Sequence, residues 1–173
     1  MPTGGGKSLC FQLPALMSEG LTVVISPLIA LMRDQVRGLQ AAGVAAGALT
    51  SGNTEDETDA VFSEIYAGKL KILYVAPERL ASSAMQSALF RFNVKSLVVD
   101  EAHCVSQWGH DFRPDYFRIG ELRKSLGVPL AAFTATADKE TRQGITERLF
   151  DGVAPKVFPV SYTHLTLPTS HGV

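Results

Sequence analysis

The chain has 173 residues, 46% of them hydrophobic and 19% charged, with a net charge of −1. That length suits one domain around one core, and the composition is that of an ordinary soluble globular protein. It excludes a long uncharged apolar span and a basic-then-apolar leader. The near-zero charge leaves no electrostatic footprint of a nucleic-acid partner, yet does not exclude one, because backbone N–H groups, hydroxyls and a few arginines can hold phosphates. Cys10 and Cys104 stand far apart, with no second Cys or His at zinc-ligand spacing from either, and read as two reduced thiols.

Taken in chain order, a glycine run leads into a helix over 7–17, followed by a strand over 21–26 and a helix over 28–42. A strand over 45–50, a helix over 55–67, a strand over 71–75 and a helix over 78–90 come next. The series closes with a strand over 95–100, a helix over 115–126, a strand over 129–134 and a helix over 139–149. The strands are short and rich in Val, Ile and Leu, as buried parallel strands are. Strand and helix in alternation predict an α/β fold of the P-loop (RecA-like) type, three layers deep, with a mainly parallel sheet. Ligands of such sheets bind beyond the carboxyl ends of the strands, where Ser26, Asp100 and Thr134 fall.

Gly4, Gly5 and Gly6 let the backbone fold around phosphates and turn several N–H groups inward. The helix opening at Lys7 adds its N-terminal dipole. In this reading Thr3, Gly4, Gly5, Gly6, Lys7 and Ser8 bind the nucleotide. Lys7 reaches the β- and γ-phosphates of ATP, and the Ser8 hydroxyl takes a place on Mg²⁺. Met1 stands where the general P-loop pattern puts a glycine. Leu97-Val98-Val99-Asp100-Glu101 is an apolar run ending in paired carboxylates: Asp100 suits hydrated Mg²⁺, and Glu101 suits polarising the water that attacks the γ-phosphate. Lys7, Asp100, Glu101 and His103 form the candidate catalytic set. The alternative for the pair is a solvated acidic turn, and for His103 a satisfied surface histidine.

Several other residues fall beside that site. Trp108 and Phe112 flank a turn just after the acidic box. They read either as a platform on which bases stack, at ~1–3 kcal/mol per base, or as core anchors. Arg113 suits a phosphate contact. Thr134 and Thr136 follow a buried strand, where hydroxyls can bond His103 or merely reflect β-propensity. Ser26, Arg33 and Gln35 lie at or after a strand end, where the helix following Pro27 can offer free N–H groups to a DNA phosphate; for Arg33 the alternative is a solvated helix face. Pro77 opens a further helix, with Glu78 suited to its first turn.

These motifs together resemble the RecQ helicases. The segment Met1-Pro2-Thr3-Gly4-Gly5-Gly6-Lys7-Ser8 is similar to their motif I, including the methionine. Ser26-Pro27-Leu28-Ile29-Ala30-Leu31-Met32-Arg33-Asp34-Gln35 resembles motif Ia, and Tyr74-Val75-Ala76-Pro77-Glu78-Arg79-Leu80 the motif after it. Asp100-Glu101-Ala102-His103-Cys104 resembles motif II, and Phe133-Thr134-Ala135-Thr136-Ala137 motif III. Ser106-Gln107-Trp108-Gly109-His110-Asp111-Phe112-Arg113-Pro114 looks like the family's aromatic-rich loop.

The resemblance implies an ATP- and Mg²⁺-dependent 3′→5′ DNA helicase, of which residues 1–158 form part of the first RecA-like lobe. It implies single-stranded and partly duplex DNA as partners, contacted or sensed through Ser26, Gln35, Gln107, Trp108, Phe112, Arg113, Thr134 and Thr136. It also implies a first strand and an adenine-reading glutamine ahead of Met1, and a second lobe with an arginine finger beyond the chain. Residues 159–173 depart from the family pattern and read as a non-native tail, against the alternative of a natural linker. The expected location is the cytoplasm of a bacterium, near the nucleoid, or a eukaryotic nucleus, with no membrane partner. The competing readings are another motor of the same superfamily and a nucleotide-dependent binding module without turnover.

Overall fold

Five short strands organise the chain: β1 (Leu21–Ile25), β2 (Ala46–Leu49), β3 (Ile72–Val75), β4 (Val94–Val99) and β5 (Leu130–Ala132). They pair in the order β2-β3-β1-β4-β5, and every pairing is parallel. The structure is a computed structural model, which describes residues 6–106, 113–136 and 138–159.

Alternation along each strand divides the core into two layers. Leu21, Val23, Ile25, Leu73, Val75, Leu97 and Val99 enter one; Val24, Ile72, Tyr74 and Val98 enter the other. Burial on both faces is why these strands read as unbroken apolar runs. The first layer is covered by Ile65 of α3 (Glu55–Tyr66), Leu80 of α4 (Pro77–Leu80) and Leu89 of α5 (Ser83–Arg91). Ile119 of α6 (Arg118–Leu126) and Leu149 of α7 (Lys139–Leu149) complete it. The second layer is covered by Phe11 and Ala15 of α1 (Leu9–Met17) and by Met32, Val36 and Leu39 of α2 (Ile29–Ala41). Each fully buried Leu, Ile or Val contributes about 1.5–3 kcal/mol relative to exposure. The expected three-layer α/β architecture is the one observed.

Local chemistry sets where elements stop. α3 starts at a capping box: Glu57 N–H donates to Thr54 Oγ1, and Thr54 N–H donates to the Glu57 carboxylate. Asp138 caps α7 by accepting from Thr141 N–H at 2.7 Å, and that bond holds its carboxyl below the usual value. The single helix expected over 78–90 is instead two. Ser82 adopts extended backbone and accepts from Met85 N–H at 3.0 Å, so it caps a new helix and ends α4. The helix expected from Asp115 begins as a 3₁₀ turn over Pro114–Phe117 and becomes α-helical only at Arg118.

The topology gathers the polar strand ends. After β1 the chain fills one side of the sheet with β2 and β3, then crosses to place β4 and β5 on the other side. The carboxyl ends of β1 and β4 thus flank the point where the winding reverses, the usual ligand crevice of an open α/β sheet. Backbone bonds lace these ends together: Asp100 N–H donates to Ile25 O and Ala102 N–H to Phe133 O, both at 2.8 Å.

Two glycines give opposite expectations. A Cβ on Gly120 would sit 2.3 Å from the Arg148 carbonyl oxygen, where α6 meets α7, whereas Gly38 on exposed α2 has nothing within 4 Å of that position. Gly120→Ala should therefore lower stability by ~1–3 kcal/mol, as overpacking does. Gly38→Ala should raise it by ~0.5–1 kcal/mol through helix propensity. Urea unfolding of the two variants checks both signs.

Candidate active site

The site begins with a turn that only glycine adopts freely. Gly6 has φ 81°, in the left-handed region. Leu9 N–H then bonds Gly6 O at 3.1 Å and Cys10 N–H bonds Lys7 O at 3.2 Å, so the chain tightens directly into α1. This turn buries Lys7 and sends its ammonium to the end of β4. Lys7 Nζ lies 3.0 Å from Asp100 Oδ1 and 2.8 Å from Glu101 Oε1. All three side chains are largely shielded from solvent, with 10%, 7% and 13% exposure respectively. Burial alone would lower the lysine pKa. The hydrogen bonds that it donates to Glu101 and Asp100, reinforced by their negative charges, outweigh it and hold the ammonium above its ordinary 10.5.

The two carboxylates diverge because the backbone turns sharply between them. Glu101 has φ 51° and ψ 45°, a left-handed conformation that costs a residue with a side chain ~1–3 kcal/mol. Its N–H donates to Asp100 Oδ1 at 3.0 Å. Its second carboxylate oxygen, Oε2, lies 3.4 Å from His103 Nδ1. His103 Nδ1 is also 3.1 Å from Thr134 Oγ1, whose own hydrogen goes to Thr136 O at 2.8 Å. With that hydroxyl proton committed, His103 Nδ1 carries the hydrogen and donates. A continuous polar chain thus runs from Lys7 through Glu101 and His103 to Thr134 and Thr136.

Most of the expected site residues that the structure describes meet here. Lys7, Asp100, Glu101, His103, Thr134 and Thr136 form one network, with Gly6 and Ser8 on the turn below it. Ser26 closes β1 nearby; it is 1% exposed and its hydroxyl has no hydrogen-bond partner among the described residues. Gln35 is not presented as a free polar group: its Oε1 accepts from Gln12 Nε2 at 2.7 Å, within the α1–α2 layer. Arg33 donates to Gly52 O at 2.9 Å from an exposed position. Arg113 is exposed, and its backbone N–H bonds Cys104 O at 2.9 Å. Thr3, Gly4, Gly5, Gln107, Trp108 and Phe112 lie outside the described residues, as does the tail from 160 onward.

Three residues at or near the site went unread in the sequence. Tyr116 is wholly buried, and its hydroxyl lies 3.4 Å from the Asp100 carbonyl oxygen, supporting the acidic turn from within the core. Burial pushes its phenol well above the ordinary value. Gln12 and Tyr74 share a buried hydrogen bond at 3.0 Å. A signal existed for Gln12, an amide inside the otherwise apolar helix Leu9-Cys10-Phe11-Gln12-Leu13-Pro14-Ala15-Leu16-Met17. Tyr116 carried none, being a tyrosine in a polar turn.

The family model for DEAD/DEAH box helicases matches residues 1–144. The chain belongs to the DEAD/DEAH box helicase family. It is 49% identical over 150 residues to the ATP-dependent DNA helicase RecQ of Haemophilus influenzae, covering 86% of this chain and 24% of that protein. It is 48% identical over 168 residues to the RecQ of Synechocystis, covering 93% of this chain and 35% of that protein. The chain therefore spans about a quarter to a third of the length of these relatives. The helicase domain of Pyrococcus furiosus Hef shares the fold, with a TM-score of 0.64 at 19% identity, covering 86% of this chain and 32% of that one.

Within this helicase domain the Lys7 contact gives a pH test. A lysine whose pKa is raised by folding contributes stability that is complete below its unfolded value and is lost as pH rises through the folded one. The stability advantage of the wild-type chain over Lys7→Met should stay flat from about pH 7 to 9 and shrink above 10.5. Denaturant unfolding across that range reads it directly, and an advantage that keeps growing above 10.5 would contradict the assignment.

Proposed function

We propose that this chain is the nucleotide-binding lobe of a RecQ-type, ATP-dependent 3′→5′ DNA helicase. The observation that carries the reading is the meeting of Lys7 with Asp100 and Glu101, which joins the phosphate turn to the hydrolysis strand. The similarity to RecQ helicases supports DNA as the track, single-stranded or partly duplex. A DNA track would place its work in the bacterial cytoplasm or a nucleus.

Thr3 to Ser8 would cradle the phosphates of ATP, with backbone N–H groups and the start of α1 facing them. Lys7 would exchange its carboxylate partners for the β- and γ-phosphate oxygens. Among the described residues no group of three or more His, Cys, Asp and Glu could hold a metal by itself. Mg²⁺ usually takes one or two protein ligands and fills its shell with phosphate and water. Ser8 Oγ and Asp100 are the residues that would hold it, and it would neutralise charge on the phosphates. Glu101, released by Lys7, would accept a proton from the attacking water, with His103 holding the far carboxylate oxygen in place. Thr134 and Thr136 would link that step to movement of a second lobe supplied by the rest of the protein.

A hydrolysis site completed by a second lobe is incomplete in one. The chain alone should bind ATP weakly and show little DNA-stimulated turnover in a phosphate-release assay. Turnover like that of an intact two-lobe motor would contradict this. In the two-lobe protein, Glu101→Gln should leave nucleotide affinity within about threefold and lower kcat by ~10²–10⁴, the usual span for losing a general base. Full activity in that variant would remove Glu101 from the role.

A further inference from the structure

Gln12 joins three elements that carry separate parts of the site. Its side chain is 7% exposed in the apolar layer that α1 and α2 share over the sheet. Both hydrogens of its Nε2 are used: one goes to Gln35 Oε1 on α2 at 2.7 Å, the other to the Tyr74 hydroxyl on β3 at 3.0 Å. Its backbone N–H donates to the carbonyl of Ser8 at 2.9 Å, one helical turn back in the phosphate turn. Tyr74 is 2% exposed and stands three residues before Pro77, the first residue of α4. Burial pushes its phenol up to about 12, so it remains a neutral hydroxyl at physiological pH.

The rest of the layer that α1 and α2 share over the sheet is apolar, with Phe11, Ala15, Val24, Met32, Val36 and Ile72 among its members. Replacing a buried hydrogen-bonded set by apolar groups of like shape is close to neutral for stability. Stability therefore gives little reason for three polar groups joined through Gln12 at this junction. Their directional bonds instead fix the position of α1 relative to α2 and β3, because a buried amide tolerates only placements that keep its hydrogens satisfied.

We propose that Gln12 is a positioning residue that couples nucleotide occupancy at the Lys7–Ser8 turn to α2. When phosphates draw Lys7 from Asp100 and Glu101, the turn over 6–8 and the first turn of α1 shift. Gln12, bonded to the Ser8 carbonyl, carries that shift to Gln35 and Tyr74. The coupling rests on the RecQ-type reading of the function and on the sequence-based expectation that the start of α2, where Arg33 is exposed, faces DNA. By linkage, nucleotide then changes DNA affinity and DNA changes nucleotide affinity by the same factor.

The test is fluorescence anisotropy of a labelled oligo-dT strand on this chain, with and without Mg²⁺ and a non-hydrolysable ATP analogue at a concentration that a separate titration shows to be saturating. The wild-type chain should show an analogue-dependent change in oligonucleotide Kd of about fivefold or more, the low end of measured couplings. Tyr74→Phe and Gln12→Leu should reduce that change to less than about twofold, while each ligand's separate affinity moves less than about twofold. Tyr74→Phe keeps the ring and removes only the hydroxyl, so it decides the matter if Gln12→Leu melts early. Full coupling retained in both folded variants overturns the proposal, as does wild-type binding indifferent to the analogue. Absence of oligo-dT binding in either state instead sinks the reading of α2 as a DNA surface, and the coupling falls with it.

Discussion

The contact of Lys7 with Asp100 and Glu101 is the constraint on which the site depends. It joins the start of α1, on one face of the sheet, to the carboxyl end of β4, beside the central strand β1. At an effective dielectric of about 20, charges ~4 Å apart attract by about 4 kcal/mol, while desolvating each ion costs several kcal/mol. The two terms nearly offset, so the contact orders the site without locking it. A polyphosphate entering the turn offers the ammonium more negative charge than the carboxylates do. In the proposed function, Lys7 stands between Asp100, which would hold the metal, and Glu101, which would act as the base.

The remaining geometry holds that contact in register. The parallel pairing of β1 with β4 sets Asp100 beside the end of β1, and the left-handed Glu101 splits the carboxylates toward different partners. His103 and Thr134 carry the second oxygen of Glu101 to the end of β5. Tyr116 reaches the Asp100 carbonyl from the turn that follows Arg113, and the Arg113 N–H donates to the Cys104 carbonyl. Gln12 makes the corresponding tie on the opposite face of the sheet.

Much of this was legible in the sequence because the signals are local. The strands ending at Ser26 and Asp100, the glycine run before Lys7 and the paired carboxylates each announce themselves within a few residues. Element boundaries suffered where capping competes with propensity: Ser82 looks like an ordinary polar residue inside a helical stretch until its oxygen is seen on Met85 N–H. Gln35 read as a DNA contact because only its position after a strand was visible. Its inward bond to Gln12 depends on the packing of α1 against α2, which no local pattern encodes. Tyr116 and Tyr74 belong to the same class, since their roles arise from contacts with residues distant in the chain.

The most direct measurement is the titration of the Lys7 ammonium by heteronuclear NMR in the empty chain and again with ATP and Mg²⁺. The account predicts a protected Nζ signal in the empty chain, titrating above 10.5, with cross-peaks to the Glu101 side chain that vanish when nucleotide binds. A lysine signal exchanging freely with water, titrating at the ordinary value and indifferent to nucleotide, would contradict it.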